Sequence, residues 1–309
     1  MRSLREMSRR VLVGLAVVAS VLAGIMVASV TPAYAASGRV AVVDQRHGIL
    51  IFDLADGTWN GSPRWQFHPS GNGWQNPSDV KFRTYGGRNT VLVTASGGMA
   101  ATVDYATRRV TWSQYVGGNP HAMELLPSGA IVVASSTGSR LTVYGKGGHT
   151  GRTYPFPDAH AVLWNAATQR LWALGGSKLC SYAVRGTSTA PTLTGKSCVD
   201  VPSGAHDLAP VNGTTTQLWF STTRHVYRYD INRGTSVRAP GYIDNRSIKS
   251  IGNQPGGLVI TTQVKHANAD GTWGNGNVWL YRQDGSYVGK RSRAGAAIYK
   301  ARPMVWESR

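Results

Sequence analysis

An internal repeat with a period of about 40 residues constrains the fold of this chain more than any other feature. Each copy contains four short apolar or alternating runs separated by turn residues, which is the pattern of four β-strands. The second run of each copy is the most regular, at Arg39–Val43, Thr90–Thr94, Ala130–Ala134, Arg170–Leu174, Gln217–Ser221 and Gly257–Thr261. Six such copies predict an all-β, six-bladed β-propeller with four antiparallel strands per blade.

The two ends of the repeat array predict how the ring closes. The first copy lacks its innermost strand, whereas an unpaired apolar run, Ile298–Trp306, follows the last copy. We therefore expect N- and C-terminal strands to share one blade. Closure of this kind leaves only short, protected sheet edges, which limits edge-to-edge aggregation.

The first 35 residues have the pattern of an export signal. Four arginines lie near the start, an apolar run covers residues 11–30, and Ala33-Tyr34-Ala35 forms a small-x-small cleavage motif. The sequence predicts a signal peptide at residues 1–35 and a single propeller domain at residues 36–309. Residues 8–13 also fit a twin-arginine motif, so the Sec and twin-arginine export routes both stay open. The expected location is extracellular, with no membrane segment after cleavage.

Charge and cysteine content fit this location. Cys180 and Cys198 are the only cysteines, and in an oxidising compartment we expect them to form a disulfide across one hairpin. This disulfide would stabilise the fold by roughly 3 kcal/mol.

The net charge of +18 falls to +15 without residues 1–35, which carry four Arg and one Glu. A basic surface either raises the local concentration of anions such as acidic polysaccharide, cell-wall polymer or nucleic acid, or serves only solubility. No motif indicates nucleic-acid specificity, and the expected state is a monomer.

Three segments carry a resemblance to a known family. Val42–Gln45, Gly118–Pro127 and Leu171–Gly175 resemble a family of secreted, mainly actinobacterial propeller proteins classed as a domain of unknown function. The resemblance covers nearly the whole mature chain. It implies the propeller fold and no particular activity.

The starts of the innermost strands show a second regularity. With Val80, Met123, Val162, Leu208 and Ile248 in register, one equivalent position holds Ser78, His121, His160, His206 and Arg246. Arg302 or Lys300 is the candidate for the sixth member. Because innermost strands line the channel and begin on one face, we expect these side chains to share one pocket. Asp79 and Asp207 follow two of them directly.

Loops between second and third strands reach the same face. They contain His47, His225 and His266, and the longest of them also carries Trp273. Trp74 lies in a neighbouring loop that leads into an inner strand. The sequence therefore predicts a substrate-binding set that adds these five residues to Arg246, Ser78, Asp79, Asp207 and Arg302.

Four interpretations of this face stay open. Histidines copied by duplication can simply cap backbone groups between blades. In the leading functional hypothesis, the pocket binds an acidic glycan: Arg246 and a second basic residue neutralise a carboxylate, and His121, His160 or His206 moves a proton, as in polysaccharide lyases. Trp74 and Trp273 would then stack on sugar rings.

The remaining two interpretations need other partners. A non-catalytic extracellular module would use the same face for a cell-wall polymer or a protein. A metal-dependent enzyme would place a divalent metal ion on His121, His160 and His206 and keep one position open for water. The sequence shows no Gly-rich phosphate loop and no Gly-x-Ser-x-Gly nucleophile motif.

Overall fold

The computed structural model describes residues 38–309, and this part of the chain is all-β. It contains 25 strands and one short 3₁₀ turn, Gly241–Ile243. The strands form six sheets, one per blade, and four antiparallel strands make up each blade. The predicted six-bladed β-propeller is confirmed. The predicted signal peptide lies outside the described residues.

Five blades are built from four consecutive strands each, and their bounds follow in chain order. Blade 2 contains β4 (Pro77–Tyr85), β5 (Arg88–Ala95), β6 (Met99–Asp104) and β7 (Val110–Tyr115). Blade 3 contains β8 (Pro120–Leu125), β9 (Ile131–Ser135), β10 (Arg140–Tyr144) and β11 (Gly151–Pro155). Blade 4 contains β12 (Ala159–Asn165), β13 (Arg170–Gly175), β14 (Lys178–Gly186) and β15 (Pro191–Asp200). Blade 5 contains β16 (Ala205–Pro210), β17 (Gln217–Thr222), β18 (Val226–Asp230) and β19 (Thr235–Arg238). Blade 6 contains β20 (Ile248–Asn253), β21 (Val259–Gln263), β22 (Asn277–Tyr281) and β23 (Tyr287–Ser292).

Blade 1 joins strands from both ends of the described chain. Its outer three strands are β1 (Arg39–Asp44), β2 (Gly48–Asp53) and β3 (Trp65–Phe67), and its innermost strand is β24 (Ile298–Pro303). β24 pairs antiparallel with β1, as predicted for a shared closing blade. A short last strand, β25 (Glu307–Ser308), adds in parallel to the inner edge of β4, which the sequence did not indicate.

The hydrophobic core lies between neighbouring blades. Leu50 and Phe52 of blade 1, for example, pack in one cluster with Ile260 and Leu280 of blade 6. All four side chains are at most 2% exposed, and burying each contributes about 1.5–3 kcal/mol. The six innermost strands contact one another in a closed cycle, so each blade is held from both sides.

A buried ion cluster crosses the centre of the channel. The Arg302 guanidinium contacts both Asp79 and Asp207, and Lys300 Nζ lies 3.1 Å from Asp207 Oδ1. Although burial opposes the charged form, Arg302 and Lys300 hold the pKa of Asp207 below its ordinary value. The charges of two cations and two carboxylates thus cancel at the axis. Their ion pairs connect β4, β16 and β24.

The disulfide prediction is confirmed. Cys180 of β14 and Cys198 of β15 occupy paired positions on the outer hairpin of blade 4 and are bonded to each other. In the part of the chain that the structure describes, no helix is long and apolar enough to span a membrane.

The axial ion cluster generates a stability prediction. Asp207→Asn removes the negative charge that Arg302 and Lys300 share, and leaves buried positive charge without compensation. We expect the free energy of unfolding to fall by about 3–5 kcal/mol, measured by urea unfolding.

Asp53→Asn is the matched control. Asp53 also accepts hydrogen bonds from two cations, Arg39 and Arg64, but these ion pairs lie at the protein surface. Its loss should cost less than about 1 kcal/mol. Equal losses for the two variants would show that the axial cluster does not hold the blades together.

Candidate functional site

A β-bulge at the start of every innermost strand builds one ring of side chains. In each blade the register between the first and second strands skips one residue, and the six skipped residues are Ser78, His121, His160, His206, Lys249 and Tyr299. In five blades the residue two positions earlier has a positive φ, at Asn76, Asn119, Asp158, Gly204 and Ser247. Asn, Asp and Gly tolerate this conformation best, so the local sequence supports the bulge.

The ring residues surround a cavity of about 470 Å³ at this end of the channel. Five of them line it, together with the amide and hydroxyl side chains of Gln45, Asn76, Ser96 and Asn119 and the ring of Trp273. Ser78 instead donates to Pro120 O at 2.6 Å and is fully buried. Within residues 38–309 no carboxylate lines this cavity. Its size falls in the range of small-molecule sites.

The three histidines contact one another in sequence around the ring. The rings of His121 and His160 stack with centroids 4.5 Å apart, and His206 meets His160 edge-on at 5.3 Å. Burial, with His160 and Lys300 nearby, lowers the pKa of His121 well below its ordinary value. Burial and the charge of Lys249 lower the pKa of His206 to about 3. These two imidazoles are therefore neutral at physiological pH.

Hydrogen bonds determine which nitrogen carries the proton in two of the histidines. His160 Nδ1 lies 3.0 Å from the backbone oxygen of Asp158 and 3.0 Å from its Oδ1. Because a carbonyl oxygen only accepts, Nδ1 carries a hydrogen, and in the neutral form of the imidazole the lone pair is then on Nε2. His206 Nε2 accepts from Lys249 Nζ at 2.9 Å, which puts the hydrogen on a buried Nδ1 without a partner among the described residues.

Lys249 is the charged side chain of the cavity lining. Its Nζ also lies 5.7 Å from the centre of the Trp273 ring. Burial, together with the charge of Lys300, lowers the pKa of Lys249 to about 8. The side chain is still mostly protonated at neutral pH, so the cavity presents a cation beside neutral imidazoles and an aromatic face.

Tyr299 completes the ring opposite the histidines. Its hydroxyl makes a long contact of 3.5 Å with His121 Nδ1. Burial, with Asp207 and Asp79 nearby, raises the pKa of Tyr299. The phenol therefore stays protonated and serves as a hydrogen-bond donor.

The structure brings together only part of the predicted site. His121, His160, His206 and Trp273 line one cavity. The position predicted for Arg246 is held by Lys249, and Arg246 itself is exposed. The sixth ring position holds Tyr299 rather than Arg302 or Lys300.

The other predicted residues serve elsewhere. Asp79, Asp207 and Arg302 belong to the axial ion cluster beneath the cavity floor. His47 forms a hydrogen bond with Asp44, and His225 forms one with Asp244. Trp74 packs edge-on against Phe67. His266 lines a separate cavity of about 380 Å³ with Gln263, Asn268, Asn275 and Trp279.

Sequence reasoning missed both Lys249 and Tyr299. For Lys249 the reason is a choice between two alignment anchors. Ile248 and Ile251 are both buried, and aligning on Ile248 instead of Ile251 shifts the register by three residues. The two polar residues before the aligned apolar residue could have shown the correct register. Lys249-Ser250-Ile251 has the same polar-polar-apolar order as His206-Asp207-Leu208.

The arrangement does not favour the three-histidine metal alternative. No group of three or more His, Cys, Asp or Glu side chains in residues 38–309 is placed to hold a metal ion. Imidazole lone pairs lie in the ring plane, so the stacked rings of His121 and His160 do not point at one centre. Lys249 also occupies the free nitrogen of His206.

Comparison with known proteins identifies the family of the chain. The family of unknown function DUF6528 matches residues 26–308. The chain belongs to the DUF6528 family. No curated protein matches the sequence.

Solved structures share the fold of this DUF6528 protein at low sequence identity. A protein of unknown function from Bacteroides caccae is similar with a TM-score of 0.60 and 13% identity, over 87% of this chain and 99% of that one. The dihydro-heme d1 dehydrogenase NirN, in complex with DHE, is similar with a TM-score of 0.50 and 15% identity. That match covers 85% of this chain, which spans 55% of the NirN chain. At these identities the likeness shows the propeller fold alone.

The neutral His206 predicts how stability depends on pH. Its folded-state pKa of about 3 lies below the value of about 6.5 in an unfolded chain. The stabilisation is full above about pH 6.5 and is lost as the pH falls towards 3, because the unfolded chain takes up the proton first. His206→Gln removes this titrating group and should reduce the loss between about pH 7 and pH 5 by about 2 kcal/mol.

Urea unfolding across this pH range measures the effect. His266→Gln is the control, since that side chain is exposed and remains in contact with solvent in both states. If wild type and His206→Gln lose stability in parallel, His206 is not buried in its neutral form.

Proposed function

We propose that this DUF6528 protein binds a carboxylate-bearing sugar, as part of an acidic glycan, in the cavity of the ring residues. The observation that carries the proposal is Lys249, a protonated amine in a cavity lining that contains no carboxylate. An anion in the cavity would complete its charge balance, and charge-assisted hydrogen bonds are about twice as strong as neutral ones.

The remaining lining matches a hydroxyl-rich ligand. Asn76 and Asn119 offer amide groups that both donate and accept, and Tyr299 offers a donor hydroxyl. Trp273 is 42% exposed and presents an apolar face on which a sugar ring can stack. These groups supply the few placed polar contacts and the aromatic surface of a small-molecule site.

The long loop between β21 and β22 supports a ligand larger than one sugar. Gly271 and Trp273 of this loop line the central cavity, whereas His266, Asn268 and Asn275 line the second cavity. A bound chain that leaves the central cavity past Trp273 would meet amide side chains and Trp279. Both the overall positive charge and this arrangement favour a polymeric anion.

Replacing the cavity cation tests the binding proposal. Lys249→Met should weaken binding of oligogalacturonate by roughly tenfold to a hundredfold, because one charge-assisted hydrogen bond contributes about 1.5–3 kcal/mol. Affinity should also fall as the pH rises through about 8, where Lys249 loses its proton. Isothermal titration calorimetry measures both effects.

Two controls isolate the charge pair. Lys290→Met removes an exposed lysine of β23, far along its blade from the innermost strand, and should leave affinity unchanged. The methyl ester of the same oligomer lacks the carboxylate charge and should bind wild type as weakly as the acid binds Lys249→Met. Equal affinity for acid and ester contradicts the proposal.

β-Elimination is a second candidate function, and the tautomer of His160 favours it. Nδ1 is held by Asp158, so the free Nε2 lone pair is available as a general base. In this reaction His160 takes the proton from the carbon beside the carboxylate, and Lys249 neutralises the carboxylate. The C–O bond to the next sugar breaks as the C=C bond forms, and the leaving oxygen takes up a proton from solvent. General-base catalysis contributes typically 10²–10⁴-fold.

His160→Gln separates the two functions. If elimination occurs, wild type releases unsaturated sugar with new ultraviolet absorbance, and His160→Gln slows release about a hundredfold or more while binding persists. Absence of product from a panel of polyuronates that do bind excludes elimination and leaves the protein as a binding module.

A further inference from the structure

Lys249 differs from the other lysines of the channel in having no carboxylate partner. Lys300 Nζ lies 3.1 Å from Asp207, and Lys81 Nζ lies 3.7 Å from Glu124. Within residues 38–309 no carboxylate forms an ion pair with Lys249, which is only 9% exposed. An amine buried in this way is held by something other than charge pairing.

The partner of the amine is a neutral acceptor. His206 Nε2 lies 2.9 Å from Lys249 Nζ and has no hydrogen of its own. Such a contact suits a neutral amine as well as an ammonium group, because either form can donate one N–H. The hydrogen bond restricts the side chain and leaves the nitrogen at the wall of the cavity of about 470 Å³.

The surroundings also favour the free amine. Lys300 of β24 is the charged group that lowers the pKa of Lys249, and the titratable side chains that line the cavity with Lys249 are the three histidines and Tyr299. Asp207, the acid that acts on His206, is itself paired with Lys300 and Arg302. Burial and Lys300 lower the pKa of Lys249 to about 8. A fraction on the order of one tenth is then unprotonated at neutral pH. Desolvation next to another cation is a known way to make lysine a nucleophile.

We propose that Lys249 binds carbonyl compounds covalently as an imine, with α-keto acids as the ligand class. The ligand needs a carbonyl group, with which the amine reacts. It also needs a carboxylate, which balances the positive charge of the protonated imine. The Tyr299 hydroxyl and the amides of the cavity wall can donate to that carboxylate. The inference shares the cavity of the proposed function but does not depend on a glycan.

The reaction balances without a cofactor. The Lys249 nitrogen forms a C–N bond to the carbonyl carbon, and the carbonyl oxygen takes up the proton of the adduct to give a carbinolamine. The C–O bond then breaks, and the two amine hydrogens leave with the oxygen as water. One further proton from solvent gives the charged iminium form.

Reductive trapping of the wild-type protein tests the inference directly. Pyruvate with sodium cyanoborohydride converts the imine into a stable secondary amine, which peptide mapping by mass spectrometry locates. We expect Lys249 to be labelled at least about tenfold faster than the exposed Lys290, because the lowered pKa of Lys249 leaves a larger unprotonated fraction than a lysine ordinarily has. Labelling spread evenly over surface lysines overturns the proposal.

Two measurements distinguish this inference from the proposed function. Reductive trapping reports the imine, and Lys249→Arg abolishes it because arginine forms none. Calorimetry of the wild-type protein with oligogalacturonate reports uronate binding. Trapping without uronate binding would leave the inference standing and contradict the proposed function. Uronate binding with no selective trapping in wild type would contradict the inference alone.

Discussion

β24, near the C-terminal end of the chain, pairs with β1, near the beginning of the described residues, and this pairing closes the ring of six blades. The strand also supplies three side chains with separate tasks. Tyr299 completes the ring of the cavity, while Lys300 and Arg302 carry the cations of the axial cluster. Closure, internal charge balance and the candidate site therefore depend on the same strand register.

The axial cluster gives the cavity its electrostatic character. Asp79 and Asp207, which directly follow two of the ring residues, both form ion pairs with Arg302, and Lys300 lies alongside. Within residues 38–309 no acid forms an ion pair with Lys249. Its charge therefore faces the cavity, where it lowers the pKa of His206. The ion pairs that make the buried charges of the core tolerable thus leave a net positive charge at the cavity wall.

Most of the fold was predictable because it follows from patterns between residues that are close in the sequence. Alternation of side chains marks individual strands, and the repeat of about 40 residues marks blades. The site was predictable only in part. The three histidines align because their neighbours are similar, whereas Lys249 is preceded by a loop of different length, and two buried isoleucines offer competing anchors. Hydrogen-bond register, which the structure shows directly, resolves this ambiguity.

The sequence by itself determined the six blades, the shared closing blade, the disulfide and the common position of His121, His160 and His206. Each of these follows from spacing along the chain or from compartment chemistry. Only the tertiary structure decided that Asp79, Asp207 and Arg302 cancel one another, that His47, His225 and His266 lie outside the central cavity, and that Lys249 and Tyr299 complete it. These outcomes depend on contacts across the channel between residues as far apart as Asp79 and Arg302, and on β-bulges that rotate one side chain per blade, neither of which local periodicity encodes.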